Sequence, residues 1–171
     1  MRHARALDLR RIRAIEDSGV PLFEAVFGDL SGDALASPGE EGRDRVDQPG
    51  FLLVTGEVGE PTGFAHVVYA DGLAYLAQLS VLPDRARQGL GTALVTQVLV
   101  EVWQDGFDAL WLTTYRDVPW NGPFYTSMGF AEVGEGEPFL RRQRDRERAL
   151  GLDRHGPRVV MRASPGHPGR R

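Results

Sequence analysis

Two glycines, Gly89 and Gly91, stand in the stretch ARQGLGTAL, after the hydrophobic run YLAQLSVLP and at the start of a helical pattern. The first turn of a helix exposes backbone N–H groups, and the helix dipole adds partial positive charge there. Glycine removes the side chains that would keep an anion away, and Arg85 and Arg87 add positive charge. The pattern fits a pyrophosphate cradle, but a Gly-x-Gly pair alone fits a plain strand-to-helix turn better.

Single residues exclude two common phosphate-binding loops. A Rossmann fingerprint needs a third glycine where Leu94 stands, and a P-loop needs a lysine, whereas all 20 basic residues of this chain are arginine. The same composition excludes a lysine Schiff base, and the absence of cysteine excludes disulfides, thiolate zinc sites and cysteine nucleophiles. The remaining class of phosphate-binding βα unit is that of acyl-coenzyme A enzymes.

Hydrophobic periodicity and turn residues predict the elements that must position this loop. Asp8 is predicted to cap the first helix, Pro21 to interrupt or restart it, and Asp71-Gly72 to form a two-residue hairpin turn. Residues 28–49 are predicted to be a long loop with a helical turn. We expect strands at 2–6, 51–58, 62–70, 73–82, 109–115, 130–135 and 157–163, and helices at 9–27, 89–105, within 120–130 and at 138–150, the last mainly a solvated face.

Composition and charge favour one globular domain. Hydrophobic residues make up 42% and charged residues 26%, and the formal net charge of -4 gives no global reason to expect a nucleic-acid partner. The start MRHARALDLRR lacks the apolar core of a signal peptide, and no uncharged apolar run reaches about 18 residues. We expect a cytoplasmic protein, with residues 1–163 as one domain and 164–171 as a mobile tail; the arginine bias is typical of a GC-rich bacterial genome.

Two motifs together resemble a known family. LSVLPDRARQGLGTALV (79–95) resembles motif A of the GCN5-related N-acetyltransferase (GNAT) family, and WNGPFYTSMGF (120–130) resembles its motif B. A predicted strand lies between them, as the family order requires. The resemblance implies an α/β GNAT fold: a mixed central sheet of about six or seven strands, splayed between the two central parallel strands and flanked by helices.

The resemblance also implies roles for individual residues. In the family the glycine turn holds the coenzyme A pyrophosphate, the strand before it pairs with the pantetheine arm, and the N–H at Val81 polarises the thioester carbonyl. Tyr125 matches the tyrosine that protonates the departing thiolate, with a core aromatic as the alternative; Asn121 matches a coenzyme contact, with a helix cap as the alternative. The implied coenzyme-binding set is Leu79, Ser80, Val81, Leu82, Arg87, Gln88, Gly89, Leu90, Gly91, Thr92, Asn121 and Phe124.

The chain departs from the family pattern at two positions. Ala86 stands where an Arg or Gln is common, and Ala77 stands where many members carry a carboxylate that acts as general base. If Asp71-Gly72 forms a two-residue turn, counting outward places His66 opposite Ala77, so His66 is our hypothesis for a substitute base. The alternatives are a structural role for His66 and deprotonation of the amine by bulk water.

These features predict an N-acetyltransferase. We expect acetyl transfer from acetyl-CoA to a primary amine by direct attack, with no metal and no covalent enzyme intermediate. The sequence does not decide whether the acceptor is a small-molecule amine or a peptide amine, or whether the protein forms a homodimer. We expect the acceptor site to be shaped by residues 28–49, whose acidic side chains suit a cation, and by Trp120. The rival interpretations are a catalytically impaired acyl-CoA sensor and a nucleotide-binding regulator.

Overall fold

The computed structural model describes residues 1–164; residues 165–171, nearly all of the predicted tail, lie outside the described residues. The helices are α1 (Leu9–Asp17), α2 (Val20–Phe27), α3 (Gly42–Val46), α4 (Leu90–Gln104), α5 (Gly122–Ser127) and α6 (Pro138–Ala149). The strands are β1 (Arg2–His3), β2 (Gly50–Glu57), β3 (Glu60–Ala70), β4 (Leu73–Val81), β5 (Leu110–Tyr115), β6 (Ala131–Val133) and β7 (Arg158–Ala163). They form a seven-stranded sheet in the order β1-β2-β3-β4-β5-β7-β6, which confirms the predicted α/β class and mixed sheet.

The chain divides into two compact units. The first contains Met1–Tyr69 and Leu76–Val98, and the second contains Ala70–Tyr75 and the residues from Leu99 onward. Strand β4 and helix α4 therefore contribute residues to both units. A single domain over residues 1–163 stays a prediction.

The core of the first unit lies between α1 and one face of the β2–β3 pair. Ile12 and Ile15 of α1 follow helical spacing and are 0% and 3% exposed, so both point inward. They pack with Leu52, Val54 and Phe64, and the register pairs Val54 with Phe64 across the two strands. Burying each such side chain contributes about 1.5–3 kcal/mol, which fixes α1 on the sheet.

The turn between β3 and β4 has the predicted chemistry. Asp71 and Gly72 have φ values of 51° and 78°, and two successive positive φ angles are the signature of a type I′ hairpin turn. This turn type matches the right-handed twist of the strands that it joins. The predicted two-residue hairpin is confirmed.

The second unit is organised around β5. Its first residues pair in parallel with β4 (Ala74 with Leu110, Tyr75 with Trp111), and its other edge pairs antiparallel with β7, which in turn pairs with β6. Tyr75, Leu140 and Val160 form a buried cluster that seats α6 on these strands. The splay of the sheet after Tyr75 stays a prediction.

Two charged residues make contacts that the local sequence does not predict. Asp8 is the N-cap residue of α1, as predicted, but its side chain makes no bond to the helix. Its carboxylate accepts instead from the Arg2 side chain, from Arg5 N–H at 2.7 Å and from Gly59 N–H at 2.8 Å. The Arg2 guanidinium holds the pKa of Asp8 well below its usual range. Helix α6 is mainly a solvated face with a few packing residues, as predicted, and one of these is Arg144, which is 2% exposed and ion-paired with Asp153.

Within residues 1–164, the helices are all too short or too polar to cross a bilayer. A cytoplasmic location, a homodimer and the absence of a nucleic-acid partner stay predictions.

Candidate active site

The glycine turn has a backbone conformation that a side chain would resist. After a 3-10 turn at Pro83–Arg85, φ is -63° at Ala86, 59° at Arg87 and 79° at Gly89, and α4 begins at Leu90. Residue Gln88, between the two positive values, is not in the left-handed region. A left-handed residue followed by a right-handed one, as at Gly89 and Leu90, turns successive N–H groups toward one side and makes a concave anion-binding nest.

The N–H groups of this turn are available to a ligand. Gly89 C=O accepts the first helical bond, from Ala93 N–H at 2.9 Å, so Gly89 is the residue that caps α4. Among the described residues, the N–H groups of Gly89, Leu90, Gly91 and Thr92 have no acceptor. An added Cβ at Gly89 would meet nothing within 4 Å, so the positive φ, rather than crowding, is what requires glycine there.

The end of β4 carries one residue more than a regular ladder allows. Counting from the Asp71-Gly72 turn pairs Thr62 with Val81, but Leu82 N–H donates to Thr62 C=O at 2.9 Å instead. The extra residue is a β-bulge, a feature that recurs beside active sites because it redirects the backbone. The predicted pantetheine-binding residues 79–82 lie at this bulged end, and all four are partly exposed.

His66 lies in a closed environment. Its side chain is 1% exposed, Nδ1 lies 3.2 Å from Arg45 Nη1, and Nε2 lies 3.2 Å from Arg45 C=O. An arginine can only donate and a carbonyl can only accept, so Nδ1 is the acceptor and Nε2 carries the proton. Burial, with the nearby Arg45 charge, lowers the pKa of His66 to about 4. His66 could act as a base only after giving up its bond from Arg45.

Arg45 itself is a buried cation that the sequence pattern does not reveal. It is 4% exposed, forms an ion pair with Glu16 of α1, and lies with its guanidinium carbon 5.2 Å from the centre of the Phe64 ring. Burial raises the pKa of Glu16, against the opposing effect of the Arg45 charge. Arg45 thereby fixes α3 to α1 and to β3.

The acidic side chains proposed for a cationic acceptor already have partners in the chain. Asp29 accepts from both Ser31 N–H and Ser31 Oγ, and Asp33 caps the 3-10 turn at Ala34–Ala36 through Leu35 N–H at 2.8 Å. Glu40 accepts from Gln48 and faces Arg45 at 3.7 Å, and Glu41 is ion-paired with Arg13. These contacts explain the four charges without a ligand.

In the second unit, α5 presents Asn121, Phe124 and Tyr125. Asn121 precedes the helix but its side chain does not cap it; Nδ2 donates to Thr114 Oγ1 of β5 at 2.7 Å. Asn121 Oδ1 is buried and has no hydrogen-bond partner among the described residues. The side-chain cap considered as the alternative role is absent, and an orphaned oxygen is free to accept a bond from a ligand.

Tyr125 is held by two aromatic neighbours. Its ring centre lies 5.2 Å from that of Phe124 and 5.5 Å from that of Phe130, both edge-on. The hydroxyl makes no hydrogen bond to any of the residues described. Burial, with the nearby Tyr75, raises the pKa of Tyr125 far above its ordinary value, so the phenol keeps its proton. The core-aromatic and acid roles are therefore compatible in one residue.

Sequence reasoning missed a chain of hydrogen-bonded polar side chains in the second unit. Tyr75 of β4 bonds to Thr113 of β5, and Thr113 donates to Glu147 of α6. The three residues are far apart in sequence and occupy ordinary strand and helix positions, so only the tertiary structure brings them together. The only sequence signal was a tyrosine in a mostly aliphatic strand.

Comparisons with known proteins match the chain to one family and to several solved structures. The model of the acetyltransferase (GNAT) family matches residues 12–130, which is more than half of the chain. The ribosomal-protein-S18-alanine N-acetyltransferase of Escherichia coli is 22% identical, with a TM-score of 0.65 over 98% of this chain and 94% of that one. N-acetylglutamate synthase of Neisseria gonorrhoeae, in complex with coenzyme A and N-acetyl-glutamate, is 18% identical, with a TM-score of 0.68. The match covers 97% of this chain but only 35% of the synthase chain. The aminoglycoside 6'-N-acetyltransferase of Enterococcus faecium is 18% identical, with a TM-score of 0.55 over 92% and 94%. At identities this low, the similarity to these structures shows a shared fold and no more.

Proposed function

The chain belongs to the GNAT acetyltransferase family, and from this premise we propose that it transfers an acetyl group from acetyl-CoA to a primary amine by direct attack. One observation supports the proposal most strongly: the N–H groups that open the 15-residue helix α4 have no acceptor among the described residues, and they follow a turn in which Arg87 and Gly89 have positive φ values. Unsatisfied N–H groups at the positive end of a helix dipole bind phosphate groups.

The remaining coenzyme contacts follow from the same assignment. Acetyl-CoA supplies the acyl group as an activated thioester. Residues 87–92 would hold the pyrophosphate through their amides, and residues 79–82 would pair with the pantetheine amides at the bulged end of β4. The Val81 N–H would bind the thioester carbonyl oxygen, where negative charge develops during attack. Asn121 Oδ1 would accept a bond from the coenzyme, and Phe124 would contact it.

Tyr125 would donate the proton that the departing thiolate needs. Its raised pKa keeps the phenol protonated throughout the physiological range. A thiolate expelled into the same desolvated surroundings also has a raised pKa, because burial disfavours the charged form of both groups. The two pKa values therefore move together, which keeps the transfer feasible.

The proton of the attacking amine has no carboxylate to accept it at Ala77. We propose that the amine reacts as its free base and that His66 acts by holding Arg45. The competing hypothesis, His66 as base, requires a ring of pKa about 4 to break a bond with Arg45 first. Replacement of His66 separates the two, as described in the Discussion.

An acceptor screen tests the proposed function. The protein is incubated with acetyl-CoA and one amine at a time. The amines are a peptide with an N-terminal alanine, free glutamate, and an aminoglycoside. The released thiol is followed with Ellman's reagent. We expect release that depends on one amine class and that falls when Tyr125 is replaced by Phe. Tight coenzyme A binding in calorimetry, without release for any amine, would instead support the acyl-CoA sensor, which the alanine at position 77 favours.

A further inference from the structure

A surface cavity lies where the start of α1 meets the turn between β2 and β3. It encloses about 360 Å³ and is lined by Leu7, Arg10, Arg11 and Gly59, all of which belong to the first unit. A volume of this order is found in small-molecule sites. A Cβ added at Gly59 would lie 3.6 Å from Leu7 Cβ, so the two walls approach each other closely. We call this space the arginine cavity; both family motifs lie elsewhere in the chain.

A buried carboxylate holds the two walls in place. Asp8, which is 0% exposed, stands between Leu7 and the helix that carries the two arginines. Its oxygens accept from Gly59 N–H at 2.8 Å, from Arg5 N–H at 2.7 Å and from both terminal nitrogens of Arg2, at 2.6 and 3.0 Å. Four bonds use the lone pairs of a carboxylate completely. Asp8 therefore ties the start of α1 to the opposite turn and has no lone pair left for another cation.

Arg10 and Arg11 are cations without a counter-charge. Both residues are exposed, and within residues 1–164 neither side chain makes a hydrogen bond or an ion pair. Arg2, by contrast, is paired with Asp8. The first 13 residues contain five arginines and one carboxylate, in a chain whose formal net charge is -4. Positive charge is thus concentrated at the arginine cavity against the overall sign of the protein.

The donors of the cavity define the ligand that it fits. A guanidinium can only donate, and its planar fork matches two oxygens of one phosphate or carboxylate group. Two guanidinium groups carry a charge of +2, which balances a phosphate monoester at neutral pH better than a single carboxylate. Leu7 adds an apolar wall for the carbon part of such an ester.

The cavity lies at the end of the sheet where the glycine turn begins. Gly59 precedes β3, and Thr62 C=O near the start of β3 accepts from Leu82 N–H at 2.9 Å, just before the turn. Leu82 and Leu9 of α1 pack against the same core cluster. Two sources could therefore supply a phosphate here: the 3′-phosphate of coenzyme A, or a separate phosphate ligand.

We propose that the arginine cavity is a phosphate-binding site, in which Arg10 and Arg11 donate to the oxygens of a phosphate monoester or of free phosphate. The site follows from contacts within the first unit alone. Only its use for the 3′-phosphate of the coenzyme rests on the acetyltransferase function proposed above.

Calorimetry with inorganic phosphate, at constant ionic strength, tests the site. Arg10→Gln and Arg11→Gln are each expected to weaken phosphate binding about tenfold, because each removes a charge-assisted hydrogen bond. Arg43→Gln is the matched control, since Arg43 is also exposed, its side chain has no partner within the described chain, and its loss changes the net charge equally. This control should bind phosphate as the wild type does.

Titrations with coenzyme A and with dephospho-coenzyme A identify the source of the phosphate, because these ligands differ only in the 3′-phosphate. If the coenzyme supplies it, Arg10→Gln and Arg11→Gln should lower the affinity for coenzyme A about tenfold and leave that for dephospho-coenzyme A unchanged. If a separate ligand supplies it, only the titration with inorganic phosphate should respond. Either result supports the site.

Circular dichroism first establishes that each variant is folded. The proposal is overturned if Arg10→Gln and Arg11→Gln keep the wild-type response both to inorganic phosphate and to the two coenzymes. It is equally overturned if Arg43→Gln loses as much affinity, since the effect would then be one of net charge. A wild-type protein that binds neither coenzyme overturns the proposed function, and the phosphate titration then decides the site by itself.

Discussion

Replacing the two glycines of the turn one at a time should move stability and coenzyme affinity in different directions. Gly89 has a φ of 79°, and Gly91 lies in the first turn of α4 with a φ outside the left-handed region. Alanine at position 89 must adopt a left-handed conformation, which costs about 1–2 kcal/mol. Alanine at position 91 occupies a helical position, where it is favoured over glycine by up to about 1 kcal/mol.

The net effects follow after correction for the unfolded chain. Gly→Ala reduces the freedom of the unfolded state and returns about 0.4–1 kcal/mol, so Gly89→Ala should lower the free energy of unfolding by about 1 kcal/mol. Gly91→Ala should leave that free energy unchanged or raise it. A protein of this size shifts its Tm by about 2–4 °C for each kcal/mol. Both variants should bind coenzyme A more weakly, because one distorts the nest and the other adds a methyl group at the position where the backbone meets the pyrophosphate.

Urea unfolding monitored by circular dichroism gives the two free energies, and calorimetry gives the coenzyme A affinities of the same preparations. Gly134, which is exposed and has no atom within 4 Å of an added Cβ, offers the control substitution Gly134→Ala. If Gly91→Ala bound coenzyme A as tightly as the control, the turn would not be the pyrophosphate site. If Gly89→Ala were as stable as wild type, the conformational reasoning would be wrong.

Three further predictions concern charge and proton transfer. Arg87→Gly and Arg87→Ala should lose coenzyme A affinity equally in calorimetry, because both remove the same charge. Only Arg87→Gly should relieve the strain of the positive φ of 59° and match or exceed the wild-type Tm. Unequal affinities would mean that the change of backbone conformation, not the loss of charge, weakens binding. Because the pKa of His66 is lowered from 6.5 to about 4 in the folded state, His66 should account for a loss of about 3 kcal/mol of stability as the pH falls from 7 to 4, since protons bind first to the unfolded form. His66→Gln keeps a donor and an acceptor for Arg45 but does not titrate in this range. It should therefore lack that pH-dependent loss in urea unfolding and keep its kcat/KM at neutral pH. A fall of about a hundredfold in kcat/KM, with folding intact, would restore His66 as the base. Tyr125→Phe should lower kcat about a hundredfold or more in the thiol assay with coenzyme A affinity unchanged, and an unchanged kcat would remove Tyr125 from the chemistry.

The elements of the fold could be predicted because they depend on short-range patterns. The period of Ile12 and Ile15 specified the buried face of α1, and Asp71-Gly72 specified a type I′ turn through its two positive φ angles. The end of α4 follows the same logic, since Gly106 at φ 86° allows Phe107 N–H to reach Val102 C=O at 3.1 Å in a Schellman motif. In each case the residue type and the local conformation are linked by sterics alone.

The partners of buried polar side chains could not be predicted, because they are distant in sequence. Asp8 has the residue type and position of a helix cap, yet it bonds to Gly59 N–H, 51 residues away. Arg45 lies in a loop-like stretch rich in charge, and nothing local shows that it packs over Phe64. The bulge at Leu82 has the same origin, since one additional residue changes the register without leaving a mark in the alternation of the strand.

Acceptor selection should therefore depend little on the acidic charges of residues 28–49. For Glu41 to bind a cationic amine it would have to release Arg13, and for Glu40 to do so it would have to give up Gln48 and its contact with Arg45. Each exchange trades one ion pair or hydrogen bond for another and gains little, since exposed pairs contribute only about 0–1 kcal/mol. If uncharged contacts orient the amine instead, KM for the amine should be nearly constant between low and moderate salt. A steep rise of that KM with ionic strength would return the acidic loop to the acceptor site.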